Sequence, residues 1–438
     1  MRVDPVILEL VKGGLRATQA EMETVIERTA MSPFINEKKD YFAGITDARG
    51  QLVCTRDIPL GANMMDAILA QYPPETMRPG DLYWYNDCYG SAGGVSHSPD
   101  MVFVAPVFHD ERLIAFVEAY GHFWDIGGAR AGSLSPTATE VFQEGVIVPP
   151  VRIQRGGEWN EELLRTFLRN SRFPDILRGD IRAMTAAARL GDRRLAEMAA
   201  RFGPAVLQDA FDDLLDQTEQ TVRRMLLDSV PEGKYSFGDA VDSDGLTDTP
   251  YWVRMTLTRE GDRFTLDATA SDDQAQGPIN FLMHESVPAL MLALQYMAAD
   301  PSLVLNAGAA RILDDVRVRS GSILRPRFPA PLGSRAHTWL RANGVVQGLL
   351  AQATGGQVPA ASASYCLYLL RAFDTTTHQF ILCSDGIAVG HGARPFADGL
   401  DAIYFVAEKN YPAEFMELRF PLEMAQYAIH GDSGGPGR

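Results

Sequence analysis

The 438-residue sequence has no long hydrophobic run, no Cys-x-x-Cys pair and no excess of basic residues. Without about 18 consecutive apolar residues, a membrane-spanning helix is not expected. The formal net charge of −16 argues against nucleic acid or an anionic membrane as a partner, because no basic excess is available to neutralise phosphates. The four cysteines are scattered, and the N-terminus has no apolar stretch typical of a signal peptide. We therefore expect a soluble, cytoplasmic protein.

Two local signals organise the N-terminal region. Asp4-Pro5 is typical of a helix start, because Asp accepts a hydrogen bond as N-cap and Pro at the first helical position loses none. We predict that this helix runs to about Ala30. Next, Tyr41–Thr46 and Gln51–Thr55 flank a turn and predict a β-hairpin with Asp40 at its mouth.

A second predicted hairpin has the largest functional consequence. Met101–Phe108 and Leu113–Tyr120 are β-rich runs on either side of a polar turn. Folding about this turn pairs residues whose numbers sum to roughly 221, so the residues just before the first strand return beside those just after the second. Cross-strand neighbours lie about 5 Å apart. We therefore expect His97, Asp100 and His122 to converge.

The rest of the chain has a helical segment followed by a region of mixed strands and helices. From Glu161 to about Leu227 the apolar periodicity is helical, and short strands with Asp/Gly turns follow. The remaining predicted elements are the strands Tyr251–Arg259 and Arg263–Ala270, the helices His284–Ala298 and His337–Ala353, and loops at Gly355-Gly356 and Pro359–Ser364. We predict a multi-domain α+β protein: a metal-site region over 1–160, a helical segment over 161–230 and a mixed α/β domain over 231–438.

Two histidines and a carboxylate are a plausible ligand set for a divalent metal. His97-x-x-Asp100 with His122 suits Zn²⁺, Mn²⁺ or Fe²⁺ about equally. Such an ion can polarise a carbonyl oxygen or lower the pKa of a bound water to about 7. The alternative is that His97 caps a loop and His122 is a partly buried histidine with its hydrogen bonds satisfied. Asp125 could orient a ligand histidine from outside the coordination sphere, or it could be a turn residue.

At this point several short motifs resemble those of one family. They are Asn86-Asp87, His97-Ser98-Pro99-Asp100, the block Gly121-His122-Phe123-Trp124-Asp125-Ile126-Gly127-Gly128, Gln143-Glu144-Gly145 with Pro149-Pro150, Asn170-Ser171-Arg172, Gly179-Asp180 and Gly277-Pro278-Ile279-Asn280. Together they resemble the signature of the hydantoinase B/oxoprolinase family over nearly the whole chain. Members include N-methylhydantoinase, 5-oxoprolinase, caprolactamase and the acetone and acetophenone carboxylases.

The resemblance implies a hetero-oligomer. A companion subunit of the hydantoinase A type would bind ATP and phosphorylate a small-molecule substrate, while this subunit carries a metal and completes the reaction. Matching the family's ligands residue by residue points to Asp40, His97, Asp100 and His122. The sequence is compatible with this division, since it contains no Gly-x-x-x-x-Gly-Lys-[Ser/Thr] phosphate-binding loop.

Three features depart from the family pattern. Cys88 stands where proline is usual and Ser96 where threonine is common. Cys88 could be a nucleophile, but no base is assigned to it, and we interpret it as a small packed residue. Relatives usually continue through a further glycine-rich segment beyond the position of Arg438. We expect a shortened form of the family or a remainder on another chain.

One motif is misleading. The stretch 431–436, Gly-Asp-Ser-Gly-Gly-Pro, matches the nucleophile motif of chymotrypsin-like proteases letter for letter. Only five residues follow Ser433 and no segment supplies the base, so the protease interpretation fails. The hydantoinase B family carries a similar glycine-rich segment. We interpret it as a turn near a subunit contact or the site.

Three further residues are catalytic candidates, each with a structural alternative. Arg172 could hold a carboxylate or carboxyphosphate bidentately, or it could form an internal salt bridge. Glu144 could be a general base or a structural carboxylate. Asp125 is the third candidate.

The favoured function is the metal-bearing subunit of an ATP-dependent hydrolase of a hydantoin, lactam or oxoproline-like substrate. Its nearest rival is a subunit of an ATP-dependent ketone carboxylase, which uses the same parts. A third possibility is a scaffold subunit whose histidines bind no catalytic metal.

Overall fold

The computed structural model describes residues 1–56, 63–297, 300, 302–360, 364–404 and 408–433. The α-helices are α1 (Pro5–Thr29), α2 (Pro33–Asn36), α3 (Met65–Gln71), α4 (Glu161–Arg169), α5 (Pro174–Phe202), α6 (Pro204–Ser229), α7 (Val287–Met297), α8 (Ala336–Ala353) and α9 (Ala413–Arg419). The strands are β1 (Tyr41–Asp47), β2 (Leu52–Thr55), β3 (Leu82–Tyr85), β4 (Asp100–His109), β5 (Arg112–His122), β6 (Val151–Arg155), β7 (Glu158–Trp159), β8 (Gly233–Val241), β9 (Tyr251–Glu260), β10 (Arg263–Asp267), β11 (Asp315–Arg317), β12 (Ser364–Asp374), β13 (Gln379–His391) and β14 (Leu400–Asp401). The predicted mixed, multi-domain α+β architecture is confirmed. Among the described helices, none is both long and apolar enough to cross a membrane.

The N-terminal predictions hold closely. The side chain of Asp4 accepts a hydrogen bond of 2.9 Å from the backbone N–H of Val6, so α1 begins where the cap was predicted. The helix ends at Thr29, one residue before the expected end. β1 and β2 form the predicted antiparallel hairpin.

The first sheet has seven strands in the order β2-β1-β5-β4-β3-β6-β7. Helices α1 and α5 pack on one face of it, because each presents a buried apolar stripe. Close approach is required at Gly121 in β5, where a side chain would collide with the terminal methyl of Met184 in α5. Helices therefore cover this face of the sheet, and a functional site on the sheet is expected on its opposite face.

The β4–β5 hairpin turns at Asp110 and Glu111, whose φ angles of 47° and 63° are those of a tight two-residue turn. His109 pairs with Arg112, and Asp100 pairs with His122 at the far end. The register shifts by one residue between Val107 and Phe108. The predicted pairing, in which residue numbers sum to 221, is therefore correct beside the turn. From Val107 back to Asp100 the paired residue numbers sum to 222.

The second face of the first sheet is covered by the C-terminal half of the chain. A buried cluster joins Phe42, Val102 and Tyr120 of the sheet to Leu282 and Leu332. Side chains alternate between faces along a strand. Alternate residues of β5 up to His122 consequently point toward this interface between the two halves.

The predicted helical segment corresponds to α4, α5 and α6. In the C-terminal half, β8–β11 form a four-stranded sheet covered by α8, and α7 begins at Val287, three residues later than predicted. Ala298, the predicted end of that helix, lies outside the described residues. The domain boundaries near 160 and 230 stay predictions.

The antiparallel pair β12 and β13 belongs to a three-stranded sheet that the sequence analysis did not predict. The predicted loop over 359–364 gives way to β12 at Ser364, and residues 361–363 lie outside the described part of the chain. Several large apolar side chains of this sheet are exposed, including those of Phe373 and Phe380. The alternation that identifies a half-buried strand is therefore weak here.

Candidate metal centre

The hairpin register positions the three predicted ligands. Asp100 opens β4 and His122 ends β5, and the two residues are direct cross-strand partners. His97 lies in the loop three residues before Asp100, whose backbone N–H donates to the carbonyl of His97 at 3.2 Å. This turn brings the side chain of His97 back toward the strand ends.

The three side chains meet in the interior. One ligand atom from each of His97, Asp100 and His122 lies within 4.8 Å of the others. All three residues are buried, with exposed fractions of 1%, 0% and 3%. The two imidazole rings are 4.9 Å apart, and His97 Nε2 lies 2.9 Å from Asp100 Oδ1. The convergence predicted from the sequence is confirmed.

The loop before α8 holds this group from the opposite side. The guanidinium of Arg335 donates to Asp100 Oδ2 at 3.2 Å and to the Ser96 hydroxyl at 2.9 Å. The backbone carbonyl of Gly333 lies 3.2 Å from His97 Nδ1. These contacts fix the orientation of His97 and Asp100, as outer contacts commonly do for metal ligands.

The protonation states suit a cation. Burial and the neighbouring His97 lower the pKa of His122 to about 3. Burial and Arg335 also lower the pKa of His97. Burial alone would raise the pKa of Asp100, but His97 and Arg335 outweigh it and hold that pKa well below its usual range. Two neutral imidazoles and an ionised carboxylate are the forms in which these residues bind a metal.

His122 also carries an unsatisfied polar atom. Its Nδ1 is buried and has no hydrogen-bond partner within the described residues, whereas both ring nitrogens of His97 are in contact with acceptors. A buried polar atom without a partner costs free energy. Nδ1 of His122 is therefore open to a ligand, and the three residues fit a divalent cation.

Asp40 lies beside this group rather than in it. Its backbone carbonyl accepts a hydrogen bond of 3.2 Å from the N–H of His122, but its carboxyl is not among the mutually close ligand atoms. Burial, the charge of Glu408 and the charge of Asp100 raise the pKa of Asp40 well above its usual value. Its place in the ligand set stays a prediction from the family resemblance.

Asp125 and Arg172 contact each other. The carboxylate of Asp125 is fully buried and pairs with the Arg172 guanidinium at 3.0 Å. It also accepts hydrogen bonds from the backbone N–H groups of Gly127, Gly132 and Arg172. These contacts tie the glycine-rich loop after β5 to the start of α5, and within the described residues none of them reaches a ligand histidine.

The side chain of Glu144 is also engaged in hydrogen bonds within the protein. Both of its oxygens accept from the backbone N–H of Leu332, and one also accepts from Gly333 at 2.6 Å. Burial raises the pKa of Glu144 to about 8, although these two N–H donors act in the opposite direction. Glu144 therefore holds the loop whose Gly333 carbonyl faces His97.

Two other sequence features are structural. Cys88 is buried, and burial followed by the charge of Glu144 raises the pKa of its thiol well above the usual value, which is consistent with a packed residue. In the protease-like motif, the Ser433 hydroxyl donates to the carbonyl of His430 at 2.7 Å. Gly434, Gly435 and Pro436 lie outside the described residues.

Sequence reasoning missed two cationic residues near the site. Arg335 comes from 235 residues away along the chain, and no motif links it to Asp100. Lys38 is buried and donates to Asp385 at 2.8 Å, with Glu408 at 4.0 Å. A buried lysine two residues from Asp40 is unusual, but burial is not visible in a single sequence.

A family model described as hydantoinase B/oxoprolinase matches residues 4–438. The caprolactamase subunit beta of Pseudomonas jessenii is 27% identical over 452 residues, which cover 99% of this chain and 76% of that protein. A crystal structure of the ATP-dependent caprolactamase from Pseudomonas jessenii matches with a TM-score of 0.86 and 26% identity, over 99% of this chain and 76% of that one.

Other similar proteins are larger or differ in their chemistry. The 5-oxoprolinase of Dictyostelium discoideum is 27% identical over 447 residues, which cover 100% of this chain and 34% of that protein. The acetophenone carboxylase delta subunit of Aromatoleum aromaticum is 32% identical over 218 residues, 49% of this chain and 31% of that protein. Two of these relatives are named as subunits of larger enzymes.

Proposed function

The chain belongs to the hydantoinase B/oxoprolinase family, and from that premise we propose that it is the metal-bearing subunit of an ATP-dependent cyclic amide hydrolase. The observation that carries the proposal is the buried group of His97, Asp100 and His122, whose ligand atoms lie within 4.8 Å of one another. The ATP-dependent caprolactamase supplies the reaction class, since this chain resembles it over 99% of its length.

His97, Asp100 and His122 would hold the metal, with Asp40 as the fourth candidate ligand from the family pattern. Zn²⁺, Mn²⁺ and Fe²⁺ all suit this donor set. When bound, the ion supplies a Lewis acid that polarises a carbonyl oxygen.

The other residues of the site act on the ligands rather than on the substrate. Arg335 neutralises the buried charge of Asp100 and fixes its orientation through the 3.2 Å contact. Glu144 holds the loop that faces His97. Asp125 and Arg172 brace the loop after β5 against α5. For these three catalytic candidates, Asp125, Glu144 and Arg172, we propose positioning roles.

ATP is assigned to a partner subunit of the hydantoinase A type. The sequence has no Gly-x-x-x-x-Gly-Lys-[Ser/Thr] loop, and related chains are named as the beta or delta subunits of multi-subunit enzymes. The partner would activate the amide by phosphorylation, and the assembled hetero-oligomer would act in the cytoplasm.

A ketone carboxylase is the second candidate. It is favoured by the 32% identity to the acetophenone carboxylase delta subunit, although that similarity covers only 49% of this chain. The same metal group would serve either reaction, so the residues of the site do not separate the two.

A substrate panel separates them. The chain is produced together with its ATP-binding partner and assayed for ATP hydrolysis with hydantoins, lactams, 5-oxoproline and alkyl or aryl ketones, with and without bicarbonate. The proposal predicts ATP turnover with a cyclic amide that needs no bicarbonate. Turnover with a ketone that requires bicarbonate, and none with any cyclic amide, would establish the carboxylase instead.

A further inference from the structure

A buried carboxyl lies apart from the metal centre on the same sheet face. Glu118 sits in the middle of β5, between Gly44 of β1 and Val104 of β4, and only 4% of it is exposed. It is four residues from His122, or about 13 Å along the strand. Tyr120, which stacks on Phe42, lies between them.

The carboxyl of Glu118 has no hydrogen-bond or ion-pair partner among the described residues, and burial is the one influence acting on it. Gly44 leaves it room, because a side chain at that position would stand 3.0 Å from Glu118 Oε2. A buried carboxyl without a partner is costly to keep and calls for an explanation.

The carboxyl faces a cavity of about 230 Å³. Its walls come from both halves of the chain and include Leu52, Met64, Leu290 and Leu305. Glu118 is the one carboxyl among its described lining residues. This volume accommodates a small organic molecule, not merely one or two waters.

Three titratable or charged side chains surround Glu118 without pairing with it. His284 lies in the cavity wall, and burial lowers its pKa, which disfavours a cationic imidazole there. Arg311 lines the cavity too, but it donates to Gln51 and pairs with Glu219. The hydroxyl of Tyr85, on the same sheet face, donates to the carbonyl of Met64. The counter-charge for Glu118 is therefore not supplied by these neighbours.

We propose that this cavity binds a small organic ammonium ion, with Glu118 as its counter-ion and the apolar wall against its hydrocarbon part. An ammonium group brings the hydrogen-bond donors and the positive charge that the carboxyl lacks, and charge-assisted bonds of this kind are strong. A short alkyl chain matches the leucine and methionine side chains. The site is separate from the metal group and does not depend on the reaction that the chain catalyses.

The ionisation of Glu118 gives the proposal a second signature. Burial raises the pKa of Glu118 to about 8, so the carboxyl of the free protein is largely protonated at neutral pH. Pairing with an ammonium ion favours the charged form and expels the proton. Binding at pH 7 should therefore release close to one proton per chain.

The test is calorimetric titration of the purified full chain with n-butylammonium chloride at pH 7, in two buffers of different ionisation enthalpy. We expect one site per chain, proton release, and binding at least tenfold weaker in Glu118→Gln. Glu111→Gln, which removes an exposed carboxylate in the β4–β5 turn, should bind like the wild type. Ala310→Leu keeps Glu118 but fills the cavity, and it should also abolish binding.

Three results would overturn the proposal. The first is no binding of n-butylammonium to the wild type. The second is equal binding to the wild type and to Glu118→Gln. The third is binding of n-butanol as tight as that of the ammonium ion, which would leave an apolar cavity without a charge-specific role.

Discussion

The two histidines of the metal group differ in their hydrogen bonding. His97 has an acceptor beside each ring nitrogen, Asp100 Oδ1 and the Gly333 carbonyl, and as a neutral imidazole it donates to one of them. His122 has a buried Nδ1 without a partner in the described part of the chain. An unsatisfied buried nitrogen is destabilising, and the proposed cation would satisfy it.

Replacement of His122 tests this directly. We expect His122→Ala to lower metal affinity by about tenfold or more, because it removes one of the three buried side chains proposed as ligands. Metal per chain is measured by mass spectrometry after dialysis against a weak chelator. His378→Ala, at an exposed position of the β12–β13 turn, is the matched control and should keep the wild-type content. Equal metal content in the two variants would contradict the assignment.

Glu118 should make the stability of the protein depend on pH. Its pKa is about 8 when folded and near its ordinary value of 4.5 when unfolded. The folded state therefore binds the extra proton between these values, and the free energy of unfolding falls as pH rises from about 4.5 to 8.

Glu118→Gln removes this contribution. We expect the variant to be more stable than the wild type by about 1–3 kcal/mol at pH 8, and the difference to shrink toward pH 5. Urea unfolding of both proteins at several pH values measures this difference in stability. Other buried groups titrate in both proteins, so their contributions cancel in the difference. A constant difference across this range would show that Glu118 does not titrate as described.

At this scale the sequence predicted the three residues that converge, but not the tertiary contacts around them. His97, Asp100 and His122 follow from a hairpin pattern and a short spacing. Arg335 and Glu144 act through tertiary contacts. Arg335 contacts Asp100, which is 235 residues away along the chain, and Glu144 contacts Leu332, which is 188 residues away. No local pattern in the sequence encodes such a contact.

Among the elements, the β4–β5 hairpin determines the site because it makes Asp100 and His122 cross-strand partners. Its strands were predicted because apolar runs flank a polar turn. The short strand β3 was not, since all four of its residues are buried and it shows no alternation. The register shift near Phe108 was also invisible, because a single extra residue leaves the apolar pattern intact.

The β4–β5 turn can be made more stable by substitution. Glu111 adopts a φ of 63°, a conformation that glycine adopts without the steric cost paid by other residues. We expect Glu111→Gly to raise the free energy of unfolding by about 0.5–1 kcal/mol. The matched control is Glu260→Gly, at an exposed strand end without a positive φ, which should be neutral or destabilising. Thermal unfolding of both variants checks this, and a loss of stability in Glu111→Gly would refute it.

At the scale of the molecule, the metal group lies where the two halves of the chain meet. The first sheet supplies Asp100 and His122, the loop before β4 supplies His97, and the loop before α8 supplies Gly333 and Arg335. Glu144 fastens this loop through the N–H groups of Leu332 and Gly333. The overall architecture was predictable from the order of elements, whereas this contact between distant segments was not.

Removing the hydrogen bonds between Glu144 and this loop should affect both stability and metal binding. We expect Glu144→Ala to lower the free energy of unfolding by about 2–3 kcal/mol, because two buried N–H groups lose their acceptor. Metal affinity should fall about tenfold, since the loop orients His97. Glu140→Ala, at an exposed position nearby, is the control for chemical unfolding and metal titration. Unchanged metal affinity in Glu144→Ala would mean that the loop does not position the ligand.

Anomalous diffraction from crystals of the purified chain grown with its metal tests the proposed metal site most directly. We expect one peak at about 2.0–2.2 Å from a ring nitrogen of His97, an oxygen of Asp100 and a ring nitrogen of His122. A metal bound elsewhere, or density that leaves any of these three side chains out of reach of a shared ion, would contradict it.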